Sequence, residues 1–357
     1  MILLLASAGA VVDVVARAEP VPSQEASVVV ALPEPTGADA IGVVDLHLVD
    51  PSRQDPYVPA RARELMVSIW YPAADRTATP TRPWASEQMT RAYADGLAKI
   101  GPPIAGAWTL TSSHGRVDAA ADSTGGRRPI VLFSPGMGMP REASTAQAED
   151  LASHGFIVVA MSHTYESLAT EFPGGRLEKS MLPQAPDTDQ VNAQIEQAMQ
   201  VRVADTRYVL DRLADLSTGA DPDADGHPLP ANLAGILDLS KIAMFGHSLG
   251  GATAAQVMHD DRRVAAGVDL DGSLWGSVLT DGLDRPFVLI GGTDHGRAQD
   301  PSWQQFWAGD RGPKLEFRAG ALTEPASAAA WKINGQGSSE PADRTSSARG
   351  TADGRAR

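Results

Sequence analysis

The sequence predicts a doubly wound, mostly parallel α/β sheet opened by an antiparallel pair of strands. Three observations carry that prediction. Two continuous apolar runs, "PIVLFS" (129–134) and "FIVVAM" (156–161), read as strands buried on both faces. A helical stretch that Gly155 can close lies between them, and strand, helix and strand at this spacing imply a parallel crossover. A third β-prone run, "KIAMF" (241–245), feeds Gly246-His247-Ser248-Leu249-Gly250 and then a run of small, helix-tolerant residues.

The remaining elements follow in chain order. The opening "MILLLASAGAVVDVVARAEPVPSQ" begins with an apolar run, and Ala16-Arg17-Ala18 resembles a signal-peptidase site. No positive charge precedes the run, and Asp13 leaves it too short to span a bilayer. Residues 1–25 are therefore expected to be the remnant of an export or anchor segment, which points to an extracellular or cell-envelope location. "AIGVVDLHLVD" (40–50) and "ELMVSIWYPA" (64–73) alternate apolar and polar residues like half-buried strands, and their Pro- and Arg-rich linker suits an antiparallel pair. Residues 74–128 lack a clear pattern and read as an excursion that could cover a pocket. Ile195, Met199, Val203, Val209, Leu210, Leu213 and Leu216 keep a helical period. "AAGVDL" (265–270), "PFVLIG" (286–291) and "KLEFRA" (314–319) supply three further strands.

Composition narrows the function classes. A chain of 357 residues can bury a full core, and 43% hydrophobic with 21% charged residues is ordinary for a soluble globular protein. The net charge of −14, with no Lys/Arg cluster, argues against a nucleic-acid surface. Cysteine is absent, which removes disulfides, thiolate zinc sites and a cysteine nucleophile. "DPDADG" (221–226) opens like a calcium loop, but its twelfth position is Asn232 rather than a bidentate Glu, so a polar surface turn is expected.

The chemistry points to Ser248. A buried strand, a Gly-x-Ser-x-Gly turn and a small-residue helix display a serine hydroxyl at a helix N-terminus, where backbone N–H groups favour negative charge. Leu249, directly after it, would give one oxyanion N–H. A serine nucleophile needs a base, normally a histidine oriented by a carboxylate. Asp269, Asp271 and Asp294 are the candidate acids; Asp271 abuts Gly272 at the carboxyl end of its strand, where open α/β sheets place their sites. Only His259 and His295 lie beyond Ser248. His259 belongs to the helix running away from the nucleophile and is expected at the surface, whereas His295 follows a strand on the correct sheet edge. His163 is expected in a hydrogen-bonded pocket wall, and His247 is expected to point from the elbow into packing.

Together, "SIWYPA", "VLFSPGMG", "LASHGFIVVAMSH", "RVADTRYVLDRL", "LDLSKIAMFGHSLGGATA" and "GVDLDGSLWG" resemble the α/β hydrolases, in particular bacterial lipases and esterases related to plasma-type platelet-activating-factor acetylhydrolase. The resemblance covers roughly residues 40–320 and implies an α/β-hydrolase domain there. It implies a serine hydrolase acting on short-acyl or lipid-like carboxylic esters, with an amidase or peptidase as the alternative chemistry. It selects Asp271 as the acid and places the second oxyanion N–H at Met137. No cofactor or metal is implied; the implied partner is a small-molecule or lipid ester, with contact to a lipid interface open and oligomeric state unspecified. The family's histidine should follow a Gly-Ala pair after a strand like "KLEFR". Here Gly320-Ala321 is followed by "LTEPASAAAW", without histidine. The abrupt change suits a shifted reading frame, so residues 322–357 are expected to be poorly ordered and the chain weakly active or inactive, a catalytically impaired hydrolase fold being the alternative to a working enzyme. His295 is the stand-in base that this sequence offers.

Overall fold

The computed structural model describes residues 28–76, 79–100, 108–110, 112–183, 187–309 and 312–318. The export remnant and the tail after residue 321 lie outside the described residues. A ten-stranded sheet organises the chain. Its strands are β1 (Ala40–Gln54), β2 (Ala62–Ala73), β3 (Thr81–Pro83), β4 (Ser112–Val117), β5 (Arg128–Ser134), β6 (Ile157–Ser162), β7 (Leu237–His247), β8 (Val264–Leu270), β9 (Phe287–Gly291) and β10 (Lys314–Arg318). In spatial order they run β10-β9-β8-β7-β5-β6-β2-β1-β4-β3. The six from β10 to β6 are mutually parallel, and β2 joins β6 antiparallel.

β1 and β2 form the expected antiparallel pair, in register from Ala40–Ala73 to Asp50–Arg63. The excursion holds a surprise. Its β4 pairs parallel with β1 and antiparallel with β3, so two of its segments extend the sheet. The inward positions of β4 include Ser113 and Gly115, which give no apolar alternation for a hydrophobicity pattern to detect.

The apolar runs are continuous because each strand feeds two cores. Ile130, Leu132, Ile157, Val159 and Met161 face helices α3 (Thr188–Ser217) and α4 (Leu249–Asp260). Phe133, Val158 and Ala160 face helix α2 (Thr145–Ser153) through Ala148 and Ala152. Helix α1 (Glu87–Ile100) lies in the excursion, and α5 (Pro301–Gly309) buries Trp303 and Phe306.

Charge also crosses the layers. Arg63, fully buried on β2, bonds Asp55 at 2.7 Å and Asp205 of α3 at 2.7 and 3.0 Å, and donates to the Thr164 carbonyl. Losing either partner of such a buried pair strands the other without solvation. The calcium-like loop is a turn clipped to β1: Asp223 accepts the His47 N–H and Asp225 meets His47 Nδ1 at 2.9 Å.

Candidate active site

Between β7 and α4 one residue makes the turn. Ser248 has φ 52° and ψ −124°, sterically costly for a residue with a Cβ. Its N–H donates to the Leu270 carbonyl and its own carbonyl accepts from Gly251, both at 2.8 Å, which holds the strained conformation in place. The flanking glycines are demanded by contact. A Cβ on Gly246 would lie 2.1 Å from the Gly250 backbone, and one on Gly250 would lie 1.9 Å from the Ser134 carbonyl oxygen. Ser248 is partly exposed, and its Oγ makes no hydrogen bond among the described residues.

The acid loop follows β8. Asp271 follows the end of the strand with φ 61° and is exposed, whereas Asp269 within the strand is buried. Asp271 Oδ1 accepts the Gly292 N–H at 2.6 Å and meets His295 Nδ1 at 2.7 Å. Burial opposes its charge, yet these bonds from Gly292 and His295 hold the carboxyl below the usual range. Asp269 is fully buried under α4, out of reach of the surface, and burial pushes its pKa well up. Asp294 is exposed.

His295 lies between two carboxylates. Its Nδ1 faces Asp271, while its Nε2 meets Asp300 Oδ2 at 2.9 Å, and its ring stacks on Trp303 with centroids 4.6 Å apart. Burial lowers the pKa of the ring, but the hydrogen bonds and charges of Asp300 and Asp271 outweigh it and raise the pKa above the ordinary 6.5. With a carboxylate at each nitrogen, the imidazolium is the favoured form. The nitrogen that would take the Ser248 proton is thus held by Asp300.

The loop from which the sequence reading expects the second oxyanion N–H follows β5. Arg202 of α3 donates to the Pro135 carbonyl at 2.6 Å and to the Gly136 carbonyl at 3.1 Å. In a trans peptide, C=O and the following N–H point in opposite directions, so the inward Gly136 carbonyl aims the Met137 N–H away from Arg202. The same rule applies at Leu249: the Ser248 carbonyl enters the helix ladder, and the Leu249 N–H is an orphan donor at the helix start. Among the described residues no cluster of three or more His, Asp or Glu side chains suits a metal ion.

The other histidines are elsewhere. His259 pairs with Asp260 at 2.7 Å and Asp281 at 3.2 Å, at the far end of α4. His247 is exposed rather than packed, a correction to the sequence reading, because the elbow turns it outward above Gly136. His163 is fully buried, with Nε2 2.9 Å from Ser134 Oγ and Nδ1 2.9 Å from Asp205 Oδ2. That string copies the residue types of a triad, but all three side chains are inaccessible and burial, with Arg202 nearby, lowers the pKa of His163. It is scaffold. Sequence reasoning expected a hydrogen-bonded His163 but missed its partners Ser134 and Asp205, along with Arg202, Glu166 and Asp300; the available signal was Arg202 and Asp205 standing on the apolar stripe of α3.

Comparison with known proteins agrees with this fold. A family model for platelet-activating factor acetylhydrolase, isoform II, matches residues 27–300. A probable 1-alkyl-2-acetylglycerophosphocholine esterase of Arthroderma benhamiae is 29% identical over 306 residues, covering 77% of this chain and 69% of that protein. The platelet-activating factor acetylhydrolase of Canis lupus familiaris is 28% identical over 278 residues, covering 71% of this chain and 57% of its own. A solved ferulic acid esterase from Streptomyces cinnamoneus superposes with a TM-score of 0.64 at 35% identity, covering 81% of this chain and 76% of that one. With its sheet, its serine elbow and these relatives, the chain belongs to the platelet-activating factor acetylhydrolase isoform II family and is an ester hydrolase of the α/β-hydrolase fold.

Proposed function

We propose that Ser248, Asp271 and His295 form the catalytic set for short-acyl carboxylic esters, with Met137 and Leu249 N–H groups as the oxyanion hole. The observation that carries this reading is the 2.7 Å contact of His295 Nδ1 with the same Asp271 that follows the strand beside the elbow. Ser248 Oγ attacks the ester carbonyl carbon and passes its proton to His295 Nε2. The two N–H groups stabilise the resulting oxyanion. Collapse breaks the ester C–O bond, His295 returns the proton to the departing alcohol, and water removes the acyl group from Ser248 by the same steps. Before the first transfer, Nε2 must leave Asp300 and the ring must be neutral.

The acetyl ester in one relative's name supports a small acyl group, whereas the ferulic acid in another's is a bulky aromatic acyl group, so the two names agree on carboxylic-ester chemistry and differ in acyl size. Action at a lipid interface, outside the cell or in its envelope, belongs to the same reading and rests on the apolar opening of the sequence. Cell fractionation of the native protein tests the location.

The Asp300 contact favours a second reading, a hydrolase of reduced rate in which no histidine serves Ser248. Substrate binding and the oxyanion hole alone can still give roughly 10³–10⁴-fold acceleration over water. The His295→Ala variant separates the two. The proposed base requires its p-nitrophenyl acetate turnover to fall steeply, while unchanged turnover selects the second reading. Parallel p-nitroanilide substrates test ester against amide chemistry; anilides cleaved as fast as esters would overturn the ester assignment.

A further inference from the structure

Arg202 and Glu166 form a buried pair that the chemistry above does not use. Arg202 is 1% exposed and Glu166 fully buried. Arg202 Nε donates to Glu166 at 2.8 Å, and Nη2 also bonds that carboxylate. Nη1 donates to the Pro135 carbonyl at 2.6 Å and to Ser134 Oγ at 3.1 Å, and Nη2 reaches the Gly136 carbonyl at 3.1 Å. All five guanidinium donors therefore have an acceptor. Two of those acceptors are consecutive carbonyls of the oxyanion loop.

We propose that Arg202, fixed by Glu166, is a positioning residue for the oxyanion hole, orienting the Met137 N–H through the Pro135 and Gly136 carbonyls. The proposal rests on the reading of Met137 as an oxyanion donor. The neighbouring turn completes the clamp: Leu168 N–H donates to the Gly138 carbonyl at 2.7 Å, and Ser167 Oγ donates to the Met139 carbonyl at 3.0 Å. Four of the five carbonyls from Pro135 to Met139 are thus held, two by Arg202 and two by Ser167 and Leu168. A loop that starts with two glycine neighbours of Met137 would otherwise be free to rotate that peptide. Oxyanion donors act only when they are preorganised, so fixing the peptide planes is where this pair contributes to rate. Lysine can balance Glu166 but lacks the fork needed to reach two carbonyls at once.

The test uses the full chain as wild type, Arg202→Lys, and the double variant Arg202→Met/Glu166→Leu, which removes both charges together. Amide hydrogen exchange across residues 135–141 is measured beside kcat and KM for p-nitrophenyl acetate. Positioning predicts at least tenfold faster exchange in that segment, a kcat loss on the order of 10²-fold, and KM within about threefold, in both variants. Lysine does not rescue. Either variant, folded with parental exchange in 135–141 and kcat within about threefold of wild type, overturns the proposal. A wild type without ester turnover overturns the functional reading instead, and the exchange measurement still decides whether Arg202 holds the loop.

Discussion

Replacing Asp300 by Asn removes one negative charge from His295 and keeps the size of the side chain. Asp300 also accepts from the Ser302 N–H at 2.7 Å and Ser302 Oγ at 2.6 Å, at the start of α5, and asparagine can serve the same N-terminal position. What changes is Oδ2, which forms the ion pair at 2.9 Å with His295 Nε2 and accepts from Ser273 Oγ at 2.6 Å. Two unit charges about 4 Å apart attract by about 1 kcal/mol in water and about 4 kcal/mol in a protein-like surrounding. The His295 side chain is 24% exposed and that of Asp300 6%, so a value near 1–2 kcal/mol is reasonable, about one pH unit. Since His295 must lose a proton to act, the acidic limb of kcat/KM for p-nitrophenyl acetate should move down by about one unit in Asp300→Asn. Below the limb the variant should be up to about tenfold faster than wild type. Asp300→Ala should show the same shift while losing about 1 kcal/mol of stability with the helix cap. An acidic limb that stays in place in both variants refutes the idea that Asp300 restrains the base.

Other consequences follow from packing and charge. Gly250→Ala sets a Cβ 1.9 Å from the Ser134 carbonyl oxygen, so the elbow must open; a parental melting temperature with parental turnover would contradict this. Asp205→Ala leaves Arg63 buried without its bidentate partner and should cost about 3–5 kcal/mol in urea unfolding, against less than 1 kcal/mol if the pair were solvated. Because His295 is raised above 6.5 in the fold, its contribution is fully present below pH 6.5 and is lost as pH rises through the raised value. Wild type should therefore lose stability over that window in buffered thermal melts, and His295→Ala should lose less; equal profiles would contradict the linkage.

The sequence made the central sheet legible where strands bury both faces. β5 and β6 are unbroken apolar runs because alternate residues enter the two cores. The elbow was legible because only glycine permits contacts near 2 Å at positions 246 and 250. Asp271 was one of three plausible carboxylates on chemistry alone; its positive φ and the burial of Asp269 separate them in space. β4 was hidden because serine and glycine occupy its inward positions. Asp300 was hidden because a residue at a helix start and a residue gripping a histidine look alike in one dimension. The contact between α3 and the oxyanion loop spans 66 residues of sequence between Gly136 and Arg202, and no local pattern records it.

Ser248 as an activated nucleophile is what every step above depends on. A fluorophosphonate probe, with the modified peptide identified by mass spectrometry, measures this directly on the intact chain. Labelling is expected at Ser248 alone, abolished in Ser248→Ala and slowed in His295→Ala, in step with p-nitrophenyl acetate turnover. Absent labelling of wild type, or equal labelling of Ser248→Ala, would contradict it.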